Sequence, residues 1–185
     1  MGQPKQLLKW GDHTLLDHAI ETVLEANTHE VVLVLGSNFE LINKTIKNHG
    51  VTILNNKNWK QGLGTSIACG AKYISKSVTN IDGVLLVLAD QPLIDSHYLK
   101  SMIKNFTPNN KQIMATLYDN GKQGVPVLFD IGYIEELLKL DNDFGAKQLL
   151  NKHLSHVVNL GSSIQTVDLD SEEDYKRVYH LKFKK

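Results

Sequence analysis

The sequence is poor in two residue types that often carry chemistry. It has one cysteine, Cys69, and one arginine, Arg177, among its 185 residues. A single cysteine allows neither an intramolecular disulfide nor a thiolate metal cluster, which favours a reducing compartment, and we expect the cytoplasm. Because all the other basic residues are lysines, an anionic ligand must be held mainly by lysine and by backbone N–H groups.

The sequence also lacks net charge and long apolar runs. Lys+Arg and Asp+Glu number 20 each. Phosphate contacts to nucleic acid need a basic excess, so this balance argues against a nucleic acid as the main partner. No apolar run is long enough to span a membrane. The remaining composition is typical of a soluble protein, and its length suits one domain over residues 1–185.

Strand and helix patterns alternate along the first half of the chain. Three short apolar runs end at or near Gly36, Asn56 and Asp90, and amphipathic helices are predicted around them. The first helix is predicted from Thr14, which with Asp17 resembles a capping box. This alternation predicts an α/β fold with a mostly parallel sheet that is covered by helices on both faces.

The second half of the chain continues the pattern less regularly. Strands are predicted at "QIMATLY", "VPVLF", "HVVNL" and "IQTVDL", and a final helix from Ser171. The segment around Pro126 breaks the alternation and indicates an antiparallel insertion. Ligands of such sheets bind at the carboxyl ends of the strands, so the loops after these ends are the candidate site.

The strongest single motif is "LLVLADQPLI". Asp90 follows the most apolar predicted strand and comes just before Gln91 and Pro92. A carboxylate at this end of a strand projects towards the ligand crevice, where it can hold a magnesium ion through hard oxygen ligands. The alternative is that Asp90 only caps the next turn.

Two further motifs have both a functional and a structural interpretation. Gly62 and Ser66 belong to a glycine-bearing loop at a helix start, where free N–H groups favour an anion or a polar base edge, or where the loop is an ordinary cap. Asp168 and Asp170 are alternate residues at a predicted strand end, so they either converge on one ion or form a capping cluster with the helix start at Ser171. Trp10 and Trp59 either flank the site or pack in the core.

The opening "MGQPK" is similar to the tail of a phosphate-binding turn. Such a turn normally follows a strand, and the chain has no room for one before Met1. The segments "GKQGVPVLF" and "NDFGAK" are glycine-bearing as well and are candidates for lining a substrate pocket. Each of these signals is weak when taken alone.

Taken together, the segments resemble the MobA-like nucleotidyltransferase family, and within it the molybdenum cofactor cytidylyltransferases. The resemblance runs from Met1 to about the final helix, in the family's order and near its spacing. It is carried by "MGQPKQLL", "NNKNWKQGLGTSI", "LADQP", "GKQGVPVLF", "NDFGAK" and "VDLDSEED". The family patterns that they follow are M-G-x-P-K-x-L-L, N-x-x-W-x-x-G-x-x-x-S, the strand-end aspartate motif, G-x-x-G-x-P-x-L-F, G-D-x-G-A-R and D-I-D-T-P-E-D.

The resemblance implies a Rossmann-like three-layer α/β sandwich of the nucleotide-diphospho-sugar transferase type. It implies an enzyme that binds a nucleoside triphosphate and Mg²⁺, transfers the nucleotide to a phosphate on a second substrate, and releases pyrophosphate. In the cytidylyltransferases the nucleotide is CTP and the acceptor is the molybdopterin form of the molybdenum cofactor. A transient contact with a molybdoenzyme or an accessory protein is implied as well.

The resemblance also implies roles for individual residues. Lys5 and Asp90 would be catalytic, with Lys5 holding the triphosphate and Asp90 binding magnesium, while Asp168 or Asp170 would be a second acidic contact to the metal or the substrate. The nucleotide-binding residues would be Gly2, Pro4, Lys5, Gly62 and Ser66. The acceptor-binding residues would be Gly124, Pro126, Asp143, Gly145 and Lys147.

Three departures from the family pattern bear on specificity. Val125 stands where many cytidylyltransferases carry a polar residue, and Lys147 stands where the family has an arginine. The family's first strand and its L-A-A-G loop, which helps to choose between CTP and GTP, have no counterpart before Met1. We expect Met1 to be the internal methionine of the family's opening motif, and the domain as given to lack its first strand.

Two alternatives to the cytidylyltransferase interpretation stay open on the sequence. One is a related nucleotidyltransferase that uses GTP, or that takes a sugar or alditol phosphate as its acceptor. The other is a non-catalytic relative that binds a nucleotide or a partner protein and acts as a scaffold.

Overall fold

The fold is described from a computed structural model of residues 4–47, 50–141, 143–161 and 167–184. Gly2, which was predicted to approach phosphate, lies outside these residues. So does the first half, residues 164–166, of the strand predicted at 164–169, and residues 167–170 have no regular secondary structure.

The helices follow the predicted amphipathic segments. They are α1 (Leu15–Glu25), α2 (Phe39–Asn43), α3 (Leu63–Ser77), α4 (Ser96–Asn105), α5 (Ile134–Leu137), α6 (Ala146–Lys152) and α7 (Glu172–Phe183). The predicted capping box of α1 is present: Thr14 accepts from the Asp17 backbone N–H, and the Asp17 side chain accepts from the Thr14 backbone N–H. A second capping box joins Ser171 and Asp174 at the start of α7. Both helix starts therefore follow from local sequence.

Helix α2 is shorter than the sequence predicts, since the apolar pattern continues past its last residue. The Thr45 hydroxyl donates to the Ile42 carbonyl at 2.7 Å. Such a bond from a threonine side chain to the preceding turn competes with the regular helix ladder. The chain turns here and leads towards the next strand.

Within the described residues the strands form three separate groups. They are β1 (Lys9–Trp10), β2 (His13–Thr14), β3 (Val32–Leu35), β4 (Thr52–Asn55), β5 (Gly83–Leu86), β6 (Ile113–Leu117), β7 (Gln123–Asp130) and β8 (Val157–Gly161). A small antiparallel pair joins β1 to β2, a parallel pair joins β3 to β4, and a four-stranded sheet has the order β5-β7-β6-β8.

The predicted insertion at Pro126 is confirmed as an antiparallel strand. Pro126 lies in β7, which runs antiparallel to both β5 and β6, while β6 and β8 are parallel. The other three strands of this sheet therefore share one direction. The predicted α/β fold with a mostly parallel sheet is confirmed, with β7 as the exception.

The main core lies on the four-stranded sheet. Ile113, Ala115, Val127 and Phe129 are fully buried there, and α5 and α6 pack against this face. A second cluster packs α4 against the opposite face through Leu99 and other residues. The sheet is thus covered on both sides, as the apolar strands predict.

No helix in the described part of the chain is long and apolar enough to cross a membrane.

Candidate active site

Asp90 lies in the turn that follows β5, at the carboxyl end of the apolar run in which it was predicted. Its Oδ2 is 2.7 Å from the Lys5 Nζ, although the two residues are 85 positions apart. The same Lys5 Nζ is 3.6 Å from Oδ1 of Asp170. Three of the residues selected from the sequence therefore meet at one point, with a lysine cation between two carboxylates.

The charge of Lys5 is stabilised at this position. Partial burial, the largest single cause, would lower the pKa of its amine, but the hydrogen bonds and charges of Asp90 and Asp170 together outweigh burial. The net result is a pKa above the usual value, so Lys5 is a cation throughout the physiological range.

The second oxygen of Asp90 has a different environment. Oδ1 of Asp90 is buried and has no hydrogen-bond partner among the described residues. A buried carboxylate oxygen without a partner is costly, and in a native protein it commonly indicates a ligand or an ion. One carboxylate thus holds Lys5 and keeps a further acceptor available at the same point.

The structure separates Asp168 from Asp170. The Gln91 side chain donates to Oδ1 of Asp168 at 2.8 Å and to the Tyr118 hydroxyl at 3.2 Å. Asp168 is therefore tied to a protein donor, whereas Asp170 is exposed and faces Lys5. The backbone N–H of Leu169, between them, donates to the Asp90 carbonyl and fixes this segment against the turn.

The glycine-bearing loop at the start of α3 is held by a residue that the sequence analysis did not select. Asn56, buried just after β4, donates to the hydroxyls of Thr65 at 2.9 Å and Ser66 at 3.0 Å. Gly62 immediately precedes the helix with a φ of 112°, which favours glycine. Asn56 is the first residue of the N-x-x-W-x-x-G-x-x-x-S pattern, and that position was the signal that could have identified it.

A cleft of about 1090 Å³ connects several of the predicted residues. Its lining includes Lys5, Ser66, Asp90, Gly124 and Lys147. Trp59 also lines it and is 40% exposed, whereas Trp10 is a buried core residue at 2%. The two tryptophans, equivalent on sequence grounds, therefore have different environments.

The other predicted acceptor-binding residues lie outside the lining of this cleft. Pro126 is buried, and its carbonyl accepts from the Thr116 hydroxyl at 2.7 Å. Asp143 is exposed, and Gly145 precedes α6 with a φ of 52°. None of these three is among the residues that line the cleft, and the same holds for Pro4, Gly62, Asp168 and Asp170 within the described chain.

The described residues contain no group of three or more histidine, cysteine, aspartate or glutamate side chains that could hold a metal ion. Two carboxylates are nevertheless sufficient for one kind of site. A Mg²⁺ ion that binds substrate phosphates is usually held by one or two carboxylates together with waters and those phosphates. The oxygens of Asp90 and Asp170, including the unpartnered Oδ1, fit a site of that kind.

Comparisons with known proteins show relatives that match most of the chain. The chain is 25% identical over 184 residues to nicotine blue oxidoreductase of Paenarthrobacter nicotinovorans, covering 95% of this chain and 87% of that protein. It is 24% identical over 176 residues to the molybdenum cofactor cytidylyltransferase of Escherichia coli K12, covering 95% and 86%.

A solved structure has the same fold. The manganese complex of Rv0371c from Mycobacterium tuberculosis H37Rv superposes with a TM-score of 0.82 at 24% identity, covering 97% of this chain and 93% of that one. The model of the MobA-like NTP transferase domain matches residues 1–157. The chain therefore belongs to the MobA-like NTP transferase family, and its fold is the Rossmann-like fold of these nucleotidyltransferases.

Proposed function

We propose that the protein transfers CMP from CTP to the phosphate of a molybdenum cofactor-type acceptor and releases pyrophosphate. The observation that carries the proposal is the placement of the Lys5 amine between Asp90 and Asp170 at the cleft. Membership of a nucleotidyltransferase family supports the reaction class, and the cytidylyltransferase among the curated relatives supports the nucleotide and the acceptor.

The side chains at this point suit phosphoryl chemistry. The attacking group is a phosphate oxygen that is already anionic, so the reaction needs positioning and charge neutralisation more than proton transfer. Lys5 would contact the triphosphate, and Asp90 with Asp170 would hold Mg²⁺. We favour Asp170 over Asp168 as the second metal contact because Asp168 is bound by Gln91. When bound, the ion would neutralise charge on the phosphates.

The remaining predicted residues would surround the two substrates. Ser66 lines the cleft at the first turn of α3 and is held by Asn56, so it would lie near the base or ribose together with Gly62. Gly2 and Pro4 would support the backbone next to Lys5. The acceptor would contact the loops that carry Gly124, Pro126, Asp143, Gly145 and Lys147, with Lys147 neutralising part of its charge.

The test is metal-dependent nucleotide binding followed by turnover. Calorimetry with CTP and GTP, each with Mg²⁺, Mn²⁺ or EDTA, is expected to show binding that requires the metal and favours CTP. Pyrophosphate release is then measured with molybdopterin, with a sugar phosphate and with an alditol phosphate. Pyrophosphate release with a sugar or alditol phosphate alone would replace molybdopterin as the proposed acceptor. Tighter binding of GTP than of CTP would replace CTP as the proposed nucleotide.

A redox activity is the competing possibility, because one curated relative is named an oxidoreductase. Reduction by a nicotinamide dinucleotide needs no divalent metal between Asp90 and Asp170. Oxidation of NADPH by an added electron acceptor in the presence of EDTA, without pyrophosphate release from any triphosphate, would overturn the transferase proposal. Metal-dependent nucleotide binding without any turnover would instead favour a scaffold that has kept only the binding site.

A further inference from the structure

Strand β7 leaves its regular pairing with β6 where it passes the cleft. The register shifts between Ala115 and Thr116 of β6 and leaves Val125 and Pro126 as two extra residues on β7, which we call the β7 bulge. Bulges of this kind bend a strand, re-aim its side chains and are frequent beside active sites. Gly124 and Val125 line the cleft, so the shape of the β7 bulge decides what this wall presents to an acceptor.

Side-chain hydroxyls bind the carbonyls of the β7 bulge. The Tyr118 hydroxyl donates to the Val125 carbonyl at 2.5 Å. The fully buried Thr116 hydroxyl donates to the Pro126 carbonyl at 2.7 Å. Because a bulge interrupts the ladder and interior carbonyls still require a partner, these two hydroxyls fix its conformation.

The ring of Tyr118 lies directly against Gly124. A Cβ atom at Gly124 would overlap both the hydroxyl and the ring carbons of Tyr118. Gly124 is not among the described glycines with a positive φ, so its backbone conformation does not require a glycine. The close approach of Tyr118 therefore explains why this position carries no side chain.

Gln91 connects Tyr118 to the acidic side of the site. The Gln91 amide nitrogen donates to the Tyr118 hydroxyl at 3.2 Å and to Oδ1 of Asp168 at 2.8 Å. Gln91 is 4% exposed and follows Asp90 directly in the chain. A continuous series of hydrogen bonds thus runs from the Val125 carbonyl through Tyr118 and Gln91 to Asp168.

Tyr118 is a neutral hydroxyl under physiological conditions. Burial raises its pKa above the usual value, the hydrogen bond from Gln91 acts in the opposite direction, and the charges of Asp168 and Asp90 raise the pKa further. The hydroxyl can therefore donate to the Val125 carbonyl and accept from Gln91 at the same time.

We propose that Gln91 and Tyr118 are positioning residues, which hold the β7 bulge at a fixed place relative to Asp90 and Asp168. This rests on the proposed nucleotidyl transfer, in which the acceptor phosphate and the triphosphate must meet in line. Neither residue exchanges a proton or forms a bond in the reaction. Their effect is on where the acceptor lies, and small displacements of a reacting group lower rates strongly.

The first test measures the connection without any reaction. Tyr118→Phe removes one oxygen and keeps the ring, and hydrogen exchange is followed by mass spectrometry. Exchange is expected to become about three- to tenfold faster in residues 123–127 and also in residues 167–170, which Tyr118 reaches only through Gln91. Tyr133→Phe is the matched control, because the Tyr133 hydroxyl also donates to a backbone carbonyl, that of Lys111, and Tyr133 does not line the cleft.

The second test separates acceptor binding from nucleotide binding. With whichever acceptor supports pyrophosphate release, Tyr118→Phe is expected to raise the acceptor KM about tenfold. The Kd of CTP with Mn²⁺, from calorimetry, is expected to stay within about twofold of the wild-type value. Gln91→Met is expected to act alike, and the double variant to be no worse than the poorer single variant, since both act through one series of hydrogen bonds.

Different results would overturn this proposal and the proposed function. Faster exchange in residues 123–127 alone, an acceptor KM of Tyr118→Phe equal to that of Tyr133→Phe, or additive effects in the double variant would each refute the positioning role. If Gln91→Met does not fold, Tyr118→Phe alone decides through the first two of these results. A wild-type protein that releases no pyrophosphate with any acceptor would refute the proposed function and, with it, a role in positioning the acceptor.

Discussion

The four-stranded sheet and the β3–β4 pair are both built from short apolar strands, but their side chains are buried to different degrees. In β6 and β7 every residue from Ile113 to Thr116 and from Pro126 to Asp130 is buried. In β3 only Leu35 is buried, and in β4 none of the four residues is. Apolar composition alone does not bury a strand, because burial also requires a neighbour on each edge and a helix on each face.

The largest expected effect comes from matched deletions in the two regions. Phe129 is fully buried in β7, whereas Phe39 of α2 is only partly buried against the β3–β4 pair. We expect Phe129→Ala to lower the free energy of unfolding by about 3–5 kcal/mol and Phe39→Ala by less than about 2 kcal/mol. Urea unfolding of both variants measures the difference, and equal losses would contradict the comparison.

The candidate active site lies between these two regions, and Asp90 is its central residue. Asp90→Asn is expected to lower kcat by about two orders of magnitude or more, as loss of a main electrostatic group does. Asp95→Asn is the matched control, since Asp95 caps α4 through the Tyr98 backbone N–H and asparagine caps equally well. Similar rates for the two variants in a pyrophosphate-release assay would remove Asp90 from the active site.

A Lys5 variant tests whether the Lys5 amine neutralises the two carboxylates at this site when no nucleotide is bound. Because its amine lies where a cation between Asp90 and Asp170 would lie, Lys5→Met is expected to tighten Mn²⁺ binding about tenfold in the absence of nucleotide. The same variant is expected to weaken CTP binding, since it loses a charge contact to the triphosphate. Electron paramagnetic resonance measures the Mn²⁺ affinity, and Lys9→Met is the control. An unchanged Mn²⁺ affinity would place the metal elsewhere.

The smallest expected effect concerns Glu136, which is partly exposed and is not among the residues that line the cleft. Glu136 accepts from Lys152 and His153, and these hydrogen bonds lower its pKa. A lowered pKa stabilises the folded state above the usual glutamate pKa, and this stabilisation is lost as pH falls through the value in the folded protein.

We therefore expect Glu136→Gln to lower the free energy of unfolding by less than about 1 kcal/mol at pH 7, because Glu136 and Lys152 are partly exposed. Glu135→Gln is the control on the same helix. Thermal unfolding of both variants at pH 7 and pH 3 is expected to show the Glu136 difference only at pH 7. If the loss of stability of Glu136→Gln relative to the control persists at pH 3, its cause is packing and not charge.

Much of the fold could be predicted because its causes are local. The start of α1 depends on Thr14 and Asp17, three residues apart, and the strand before Asp90 depends on a continuous apolar run. The antiparallel direction of β7 was indicated by the break in alternation near Pro126. Contacts within one turn or one strand leave a direct pattern in the sequence.

The partners of the site residues could not be predicted, because they depend on distant segments. Asp168 and Asp170 are equivalent by spacing, and only the position of Gln91 assigns one of them to a protein donor and leaves the other facing Lys5. Asn56 is the first residue of the N-x-x-W-x-x-G-x-x-x-S pattern, but the pattern does not show that its side chain holds Thr65 and Ser66. Such pairs are set by how the elements pack, which spacing along the chain does not describe.

The sequence by itself determined the order of helices and strands, the capping boxes, the family resemblance and the position of Asp90 at a strand end. These follow from side-chain chemistry over a few neighbouring residues. Only the tertiary structure decided that Lys5 lies between Asp90 and Asp170 and that β3 and β5 face each other across an apolar cleft. The reason is that hydrogen bonds and packing between segments far apart in the chain depend on the whole fold.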